Sequence, residues 1–324
     1  MTLQIGYKLA AEGFGPAELV RQAQRAEAAG FDFVEISDHF HPWLEVQGHS
    51  PFAWSVLGAI AQGTERIGLA TGVTCPFHRY HPAIVAQAAA TVALLSDGRF
   101  TLGVGAGERL NEHITGEPFP AVAGRHARLR EAIEIIRLLW SGGFHSYDGR
   151  FCSLEDARLF DLPEVPPQIA VAASGPASVA LAAELGDGLF AVDPDGELTA
   201  EYRRLGGSGP RYGEASLAWA ESEDAAVEAA WSTARWSVGG WKVMSELPNP
   251  VNFEAASAQV RREDVAAKLS CGPELAAHVE AVRPFVEAGF DRIALMNVGP
   301  DPDGFLDAFA GELGAGLRAL DPTG

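Results

Sequence analysis

Short apolar strands and longer helices rich in Ala, Leu and Glu alternate along nearly the whole chain, and this rhythm restricts the fold more than any other feature. The patterning predicts strands at Gln4–Leu9, Phe33–Ile36, Ile67–Thr71, Phe100–Val104, Ile169–Ala172, Gly188–Val192, Leu217–Ala220 and Arg292–Leu295. Between them it predicts helices at Pro16–Ala29, Phe52–Gln62, Pro82–Leu95, Arg125–Leu139, Ala177–Leu185 and Pro273–Ala288, the first opened by a proline and stopped by Gly30. Strands separated by helical crossovers run parallel and need helices on their faces. About eight units favour a closed (β/α)8 TIM barrel, an α/β fold, over an open Rossmann-type sheet.

Two segments break the rhythm. Gly142–Leu154, GGFHSYDGRFCSL, carries Asp148-Gly149, a pair suited to a tight hairpin turn. Trp231–Arg261, rich in Trp, Ser, Pro and Asn, reads as a long loop or short-helix insertion between the seventh and eighth strands, and long loops of this kind often act as lids. No Gly/Ser/Pro linker divides the chain, so residues 1–324 read as one barrel domain with insertions near 142–154 and 231–261.

The formal charge of −19 would repel a nucleic-acid backbone and an anionic membrane surface alike. Any anionic ligand must therefore be held by local dipoles or a few placed cations. The three cysteines form no CxxC pair, the N-terminal residues show no signal-peptide pattern, and no apolar run is long enough to span a bilayer, so a cytoplasmic setting is expected.

In a (β/α)8 barrel, residues just beyond the strands' C-terminal ends surround the active-site mouth. Phe33–Ile36 runs into Ser37-Asp38-His39 and then Trp43, so an acid, an imidazole and an indole converge there. The same logic selects Thr71-Gly72-Val73, Gly105-Ala106-Gly107-Glu108 and Ala173-Ser174-Gly175-Pro176. LGVGAGE lacks GxGxxG spacing and follows the fourth strand, so it is weak as a dinucleotide fingerprint. Its small residues instead let backbone N–H groups approach an anion or a flat ring. ASGP presents a helix N-terminus to a negative group, or else is an ordinary cap by Ser174. His39, His41, His49, His78 and His81 crowd the early loops, but without HExxH or paired cysteines they give no metal site.

The set GYKLAAEGFGPAELV, SDHFHPW, GHSPFAWSVLGAIAQGTERIGLATGVTCP, RYHPAIVAQAAATV, LGVGAGERLNE, GRHARLREAIEIIRLLWSG and AASGP resembles the deazaflavin-dependent glucose-6-phosphate dehydrogenases within the bacterial-luciferase-like oxidoreductases. The likeness is dense to about Asp187 and looser beyond. It implies a luciferase-like barrel binding coenzyme F420, an 8-hydroxy-5-deazaflavin, with FMN as the competing cofactor and a luciferase-like monooxygenase or reductase as the competing activity. It also implies a non-prolyl cis peptide at Gly72-Val73 and pairing into a homodimer through the helices of the second and third units.

Carried over by position, the resemblance assigns His39, Trp43 and Glu108 to catalysis. His39 takes the hydroxyl proton, Glu108 protonates the reduced ring if burial raises its pKa, and Trp43 shields the substrate from water. Asp38, Asn111, Thr71, Gly72, Val73, Gly105, Ala106, Gly107, Ala173, Ser174, Gly175 and Pro176 are expected to hold the cofactor. Substrate contacts are expected from Val192, Asp193, Asp195, Trp236 and Lys268. Where sugar-phosphate members supply Thr and Lys after the sixth strand, this chain has FAVDPDGEL; Ala255 replaces another Lys, and Lys268 stands where Arg is usual. These departures argue for an uncharged or cationic alcohol or a non-phosphorylated sugar, against glucose 6-phosphate.

Overall fold

The computed structural model describes residues 2–320. Eight parallel strands close on themselves: β1 (Gln4–Leu9), β2 (Phe33–Ile36), β3 (Gly68–Thr71), β4 (Phe100–Val104), β5 (Gln168–Ala172), β6 (Gly188–Ala191), β7 (Arg211–Ala218) and β8 (Arg292–Asn297). Gly6 lies beside Phe33 at the β1–β2 pair, Ala294 beside Gly6 at β8–β1, and Phe190 beside Tyr212 at β6–β7, so the ladder returns to its start. Each of these eight strands is paired on both sides.

Side-chain alternation separates two cores. On β1, Ile5, Tyr7 and Leu9 join the layer between barrel and helices, as Val34 and Ile36 do on β2. The intervening positions point inward: Phe33, Phe190 and Tyr212 form a ring cluster inside the barrel, with Phe33 edge-on to Tyr212 at 5.7 Å. Gly6 is required here because a Cβ would collide with the Phe33 ring. Above the rings, β1 contributes Lys8, β2 Glu35 and β7 Glu214, a buried cation between two carboxylates.

Most expected elements lie where the patterning places them, and one differs. The seventh strand starts at Arg211, well before the expected Leu217. Its inward Glu214 is an ion-pair partner of Lys8, and a buried charge disguises the apolar alternation that marks a strand. The 231–261 segment is mostly helical: the helix Glu223–Ala234 runs into it, followed by a 3-10 turn at Arg235–Val238 and helices Trp241–Met244 and Pro250–Ser257. The 142–154 segment does open a hairpin, His145–Asp148 with Ser153–Ala157, its turn closed by Gly149 N–H donating to the Cys152 carbonyl at 3.1 Å. Among the described residues no helix is long and apolar enough to cross a membrane.

Candidate active site

The loop after β2 delivers His39 to the mouth of the barrel between two carboxylates from other loops. Nδ1 lies 2.9 Å from Glu12 Oε1, and Nε2 lies 3.6 Å from Glu108 Oε1. The Glu12 contact is a close ion pair rather than an aligned hydrogen bond. Burial works against the imidazolium, but Glu12 and then Glu108 outweigh it, and the pKa of His39 is raised from its ordinary value. Burial likewise works to raise Glu12, and His39 outweighs it, so the Glu12 carboxyl is held below the usual range. Glu12 sits in the turn after β1, within the stretch GYKLAAEGFGPAELV.

Asp38 and Asn111, both expected at the cofactor, are tied into the loops by buried hydrogen bonds. Asp38 is buried; it accepts hydrogen bonds from Thr74 Oγ1 at 2.7 Å and Tyr80 OH at 2.8 Å. Arg79 bridges its backbone carbonyl, at 2.6 Å, to Glu112 Oε1, at 3.2 Å. Burial pushes Glu112 up to about 8, against the pull of Arg79. Asn111 is fully buried; its amide oxygen accepts from the N–H groups of Phe40 and His41 at 2.7 and 3.0 Å, and its NH2 donates to Glu108. One amide thus sets both the His39 loop and the orientation of Glu108.

Thr71 is buried, its hydroxyl donating to the Gly103 carbonyl at 2.8 Å. The Gly72-Val73 peptide is cis, and the Gly72 carbonyl accepts from Lys8 Nζ at 2.7 Å. Gly103 and Gly105 allow β4 to pass close to Thr71 and Val73, where a Cβ would clash. Gly107 has a left-handed backbone, φ 72°. Gly175, not Ser174, caps the helix Pro176–Leu185, and Ser178 Oγ accepts from the N–H groups of both Ser174 and Gly175. A Cβ at Gly175 would meet nothing within 4 Å, so the helix N-terminus faces open space. Ala106 is half-buried beside these loops, Ala173 is buried, and Pro176 is exposed. A backbone ledge at Gly72-Val73, an imidazole between carboxylates and an open helix N-terminus fit a flat redox ring bearing an anionic tail.

Trp43 meets His39 edge-on at 4.7 Å and stacks on Trp236 at 4.0 Å and 17°. Phe253 closes on Trp43 at 5.2 Å, and buried Leu44, Leu110 and Met244 complete the cluster. Trp236, from the 231–261 segment, thus lies against the indole carried by the loop after β2.

The remaining positions expected at the substrate lie on other loops. Asp195 caps the helix Gly196–Arg204, accepting from Glu197 and Leu198 N–H at 2.9 and 3.1 Å. Its acidic side chain satisfies an orphan helix terminus. Asp193 and Val192 are exposed. Lys268 is exposed and its ammonium donates to the Ser237 carbonyl.

The family model described as luciferase-like monooxygenase matches residues 2–292. An F420-dependent glucose-6-phosphate dehydrogenase of Beutenbergia cavernae is 37% identical, covering 98% of this chain and 98% of the relative. An F420-dependent hydroxymycolic acid dehydrogenase of Mycobacterium tuberculosis is 40% identical, covering 88% and 80%. An F420-dependent secondary alcohol dehydrogenase, solved in complex with an F420-acetone adduct, superposes with a TM-score of 0.91 at 30% identity, covering 98% and 100%.

Proposed function

The chain belongs to the luciferase-like monooxygenase family, and from that premise we propose that it is an F420-dependent dehydrogenase acting on the CH–OH group of a small, uncharged alcohol. The observation that carries the reading is His39 at the mouth, held between Glu12 and Glu108. Coenzyme F420, when bound, supplies the hydride acceptor, C5 of its deazaflavin ring. Gly72, Val73 and the Ala173–Pro176 turn would hold it, with Gly105, Ala106 and Gly107 shaping the opposite wall.

His39 takes the hydroxyl proton at Nε2. That role requires the other nitrogen, Nδ1, to carry its hydrogen toward Glu12, and the Glu12 carboxylate stabilises the imidazolium that forms. Glu108, anchored by Asn111, stands where the proton can pass on. Trp43 covers the imidazole edge and keeps water from it. The absence of a free lysine among Val192, Asp193, Asp195 and Ala255 supports an uncharged substrate over a sugar phosphate. Titration with oxidised F420 and with FMN tests the reading: F420 binding followed by alcohol turnover is expected, and tight FMN binding without F420 binding overturns it.

The same reading extends to a homodimer. The adjacent helices Ala53–Gly63 and Pro82–Leu95 contain no Asp, Glu, Lys or Arg, although 21% of the chain is charged, and they expose Ile84, Leu94 and Leu95 beside Phe52. A second copy buries such a surface in kind. A monomeric mass at micromolar concentration would count against it. The three unpaired cysteines, Cys75 buried among them, fit the reducing setting of a cytoplasmic enzyme.

A further inference from the structure

The wall facing His39 is aromatic, and it comes from a segment outside the barrel. Trp236 lies flat on Trp43, Trp241 meets Trp43 edge-on at 6.3 Å, and Phe253 stands edge-on to both Trp43 and Trp236. From this buried cluster the apolar surface runs outward: Trp241 is 46% exposed, and Val243 and Val251 are 60% exposed. These side chains sit on two short helices that are not needed to close the barrel.

Polar provision on this wall is sparse. Lys268, the nearest expected cation, is tied to the Ser237 carbonyl. Arg125 is committed to Glu246 at 2.8 Å, and Arg79 to Asp38 and Glu112. The Trp236 indole N–H, the Ser237 hydroxyl and Arg125 Nε are buried without partners. A sugar pressed against this wall would bury more hydroxyls than these groups can pair, and each unpaired hydroxyl disfavours binding.

We propose that the substrate is an apolar alcohol whose alkyl or aryl arm lies along Trp43, Trp236 and Trp241, in preference to a sugar or a sugar phosphate. The inference rests on the dehydrogenase reading and specifies its substrate. In the oxidative direction the carbinol C–H bond breaks, its hydride passes to C5 of oxidised F420, the O–H proton passes to His39, and a carbonyl remains. Selectivity then comes from the arm: each methylene removed from water against the rings strengthens binding roughly threefold to fourfold.

A ketone and oxidised F420 are both hydride acceptors, so affinity can be read without hydride transfer. Calorimetric titration of the F420-loaded protein with the 2-alkanones from propanone to octan-2-one should show the dissociation constant falling roughly threefold per methylene over the first members, with a negative heat-capacity change. Glucose and glucose 6-phosphate should bind more weakly than octan-2-one by at least about a hundredfold, the compounded effect of several methylenes. Trp236→Ala should flatten the chain-length series, whereas Trp236→Phe should keep most of it, and F420 affinity should survive both changes. A flat series in the wild type, or glucose 6-phosphate binding more tightly than octan-2-one, overturns the inference while leaving the dehydrogenase reading in place. Failure of F420 itself to bind overturns both.

Discussion

Two buried clusters in this barrel share one charge pattern, a base between two carboxylates, and differ in the base. Inside the barrel, Lys8 lies 2.7 Å from Glu35 and 2.6 Å from Glu214, with the lysine and Glu35 side chains 4% and 0% exposed. At the mouth, His39 lies between Glu12 and Glu108, with side chains 11%, 5% and 15% exposed. Burial opposes the charge on Lys8, but Glu214 and Glu35 prevail and raise its pKa further above neutrality, so it stays an ammonium at any working pH. The strain of the arrangement falls on Glu35, pushed up to about 7 by its burial and by Glu214, against the pull of Lys8. An imidazole starts from an ordinary value near neutrality, about 6.5. One cluster is therefore a clamp on β1, β2, β7 and the Gly72 carbonyl, and the other can exchange a proton.

The comparison breaks most visibly at His39. His39→Gln should lower kcat by about a hundred- to ten-thousandfold, the usual worth of a positioned acid–base group, with F420 affinity largely kept. A variant with near wild-type turnover would mean that the mouth cluster is as static as the one beneath it.

Lys8→Met should cost about 3–5 kcal/mol of folding stability in urea denaturation, because two buried carboxylates lose their cation. Adding Glu35→Gln and Glu214→Gln to the same chain should recover most of that loss. A single Lys8→Met variant as stable as the wild type would remove the clamp from the account.

Glu12→Gln should sharpen the comparison more gently. Turnover should fall by about tenfold, equivalent to about 1.4 kcal/mol of transition-state stabilisation. Since Glu12 raises the pKa of His39, its removal should shift the acid limb of the pH profile for alcohol oxidation to lower pH. An acid limb that stays in place assigns that titration to another group.

The smallest effect is on stability. A histidine whose folded pKa exceeds its unfolded value contributes stability fully below the unfolded value, about 6.5. That contribution is lost as pH rises through the raised folded pKa of His39. Unfolding free energy should decline over this window in the wild type, and the decline should shrink in Glu12→Gln; identical slopes would argue that Glu12 does not charge His39.

Much of this was legible in advance because it is local. Hydrophobic period and chain rhythm depend on residues a few positions apart, and they specified parallel strands, their crossovers and the strand ends from which His39, Trp43 and Glu108 reach the mouth. The seventh strand escaped because its inward position carries Glu214, whose reason for being there is Lys8 on another strand. The helix cap at Asp195 also escaped, since an acidic residue before a helix and an acidic residue in a pocket read alike until its neighbours' N–H groups are located.

By itself the sequence determined the barrel and the polar character of its mouth. Only the tertiary structure decided which group faces which: Glu12 against His39, Asn111 under Glu108, Asp38 turned toward Thr74 and Tyr80, and Trp236 laid on Trp43. The physical reason is range. Periodic burial is encoded over a few residues, whereas a side chain's partner, and with it the charge it carries, is chosen when barrel closure brings distant loops within a few ångströms.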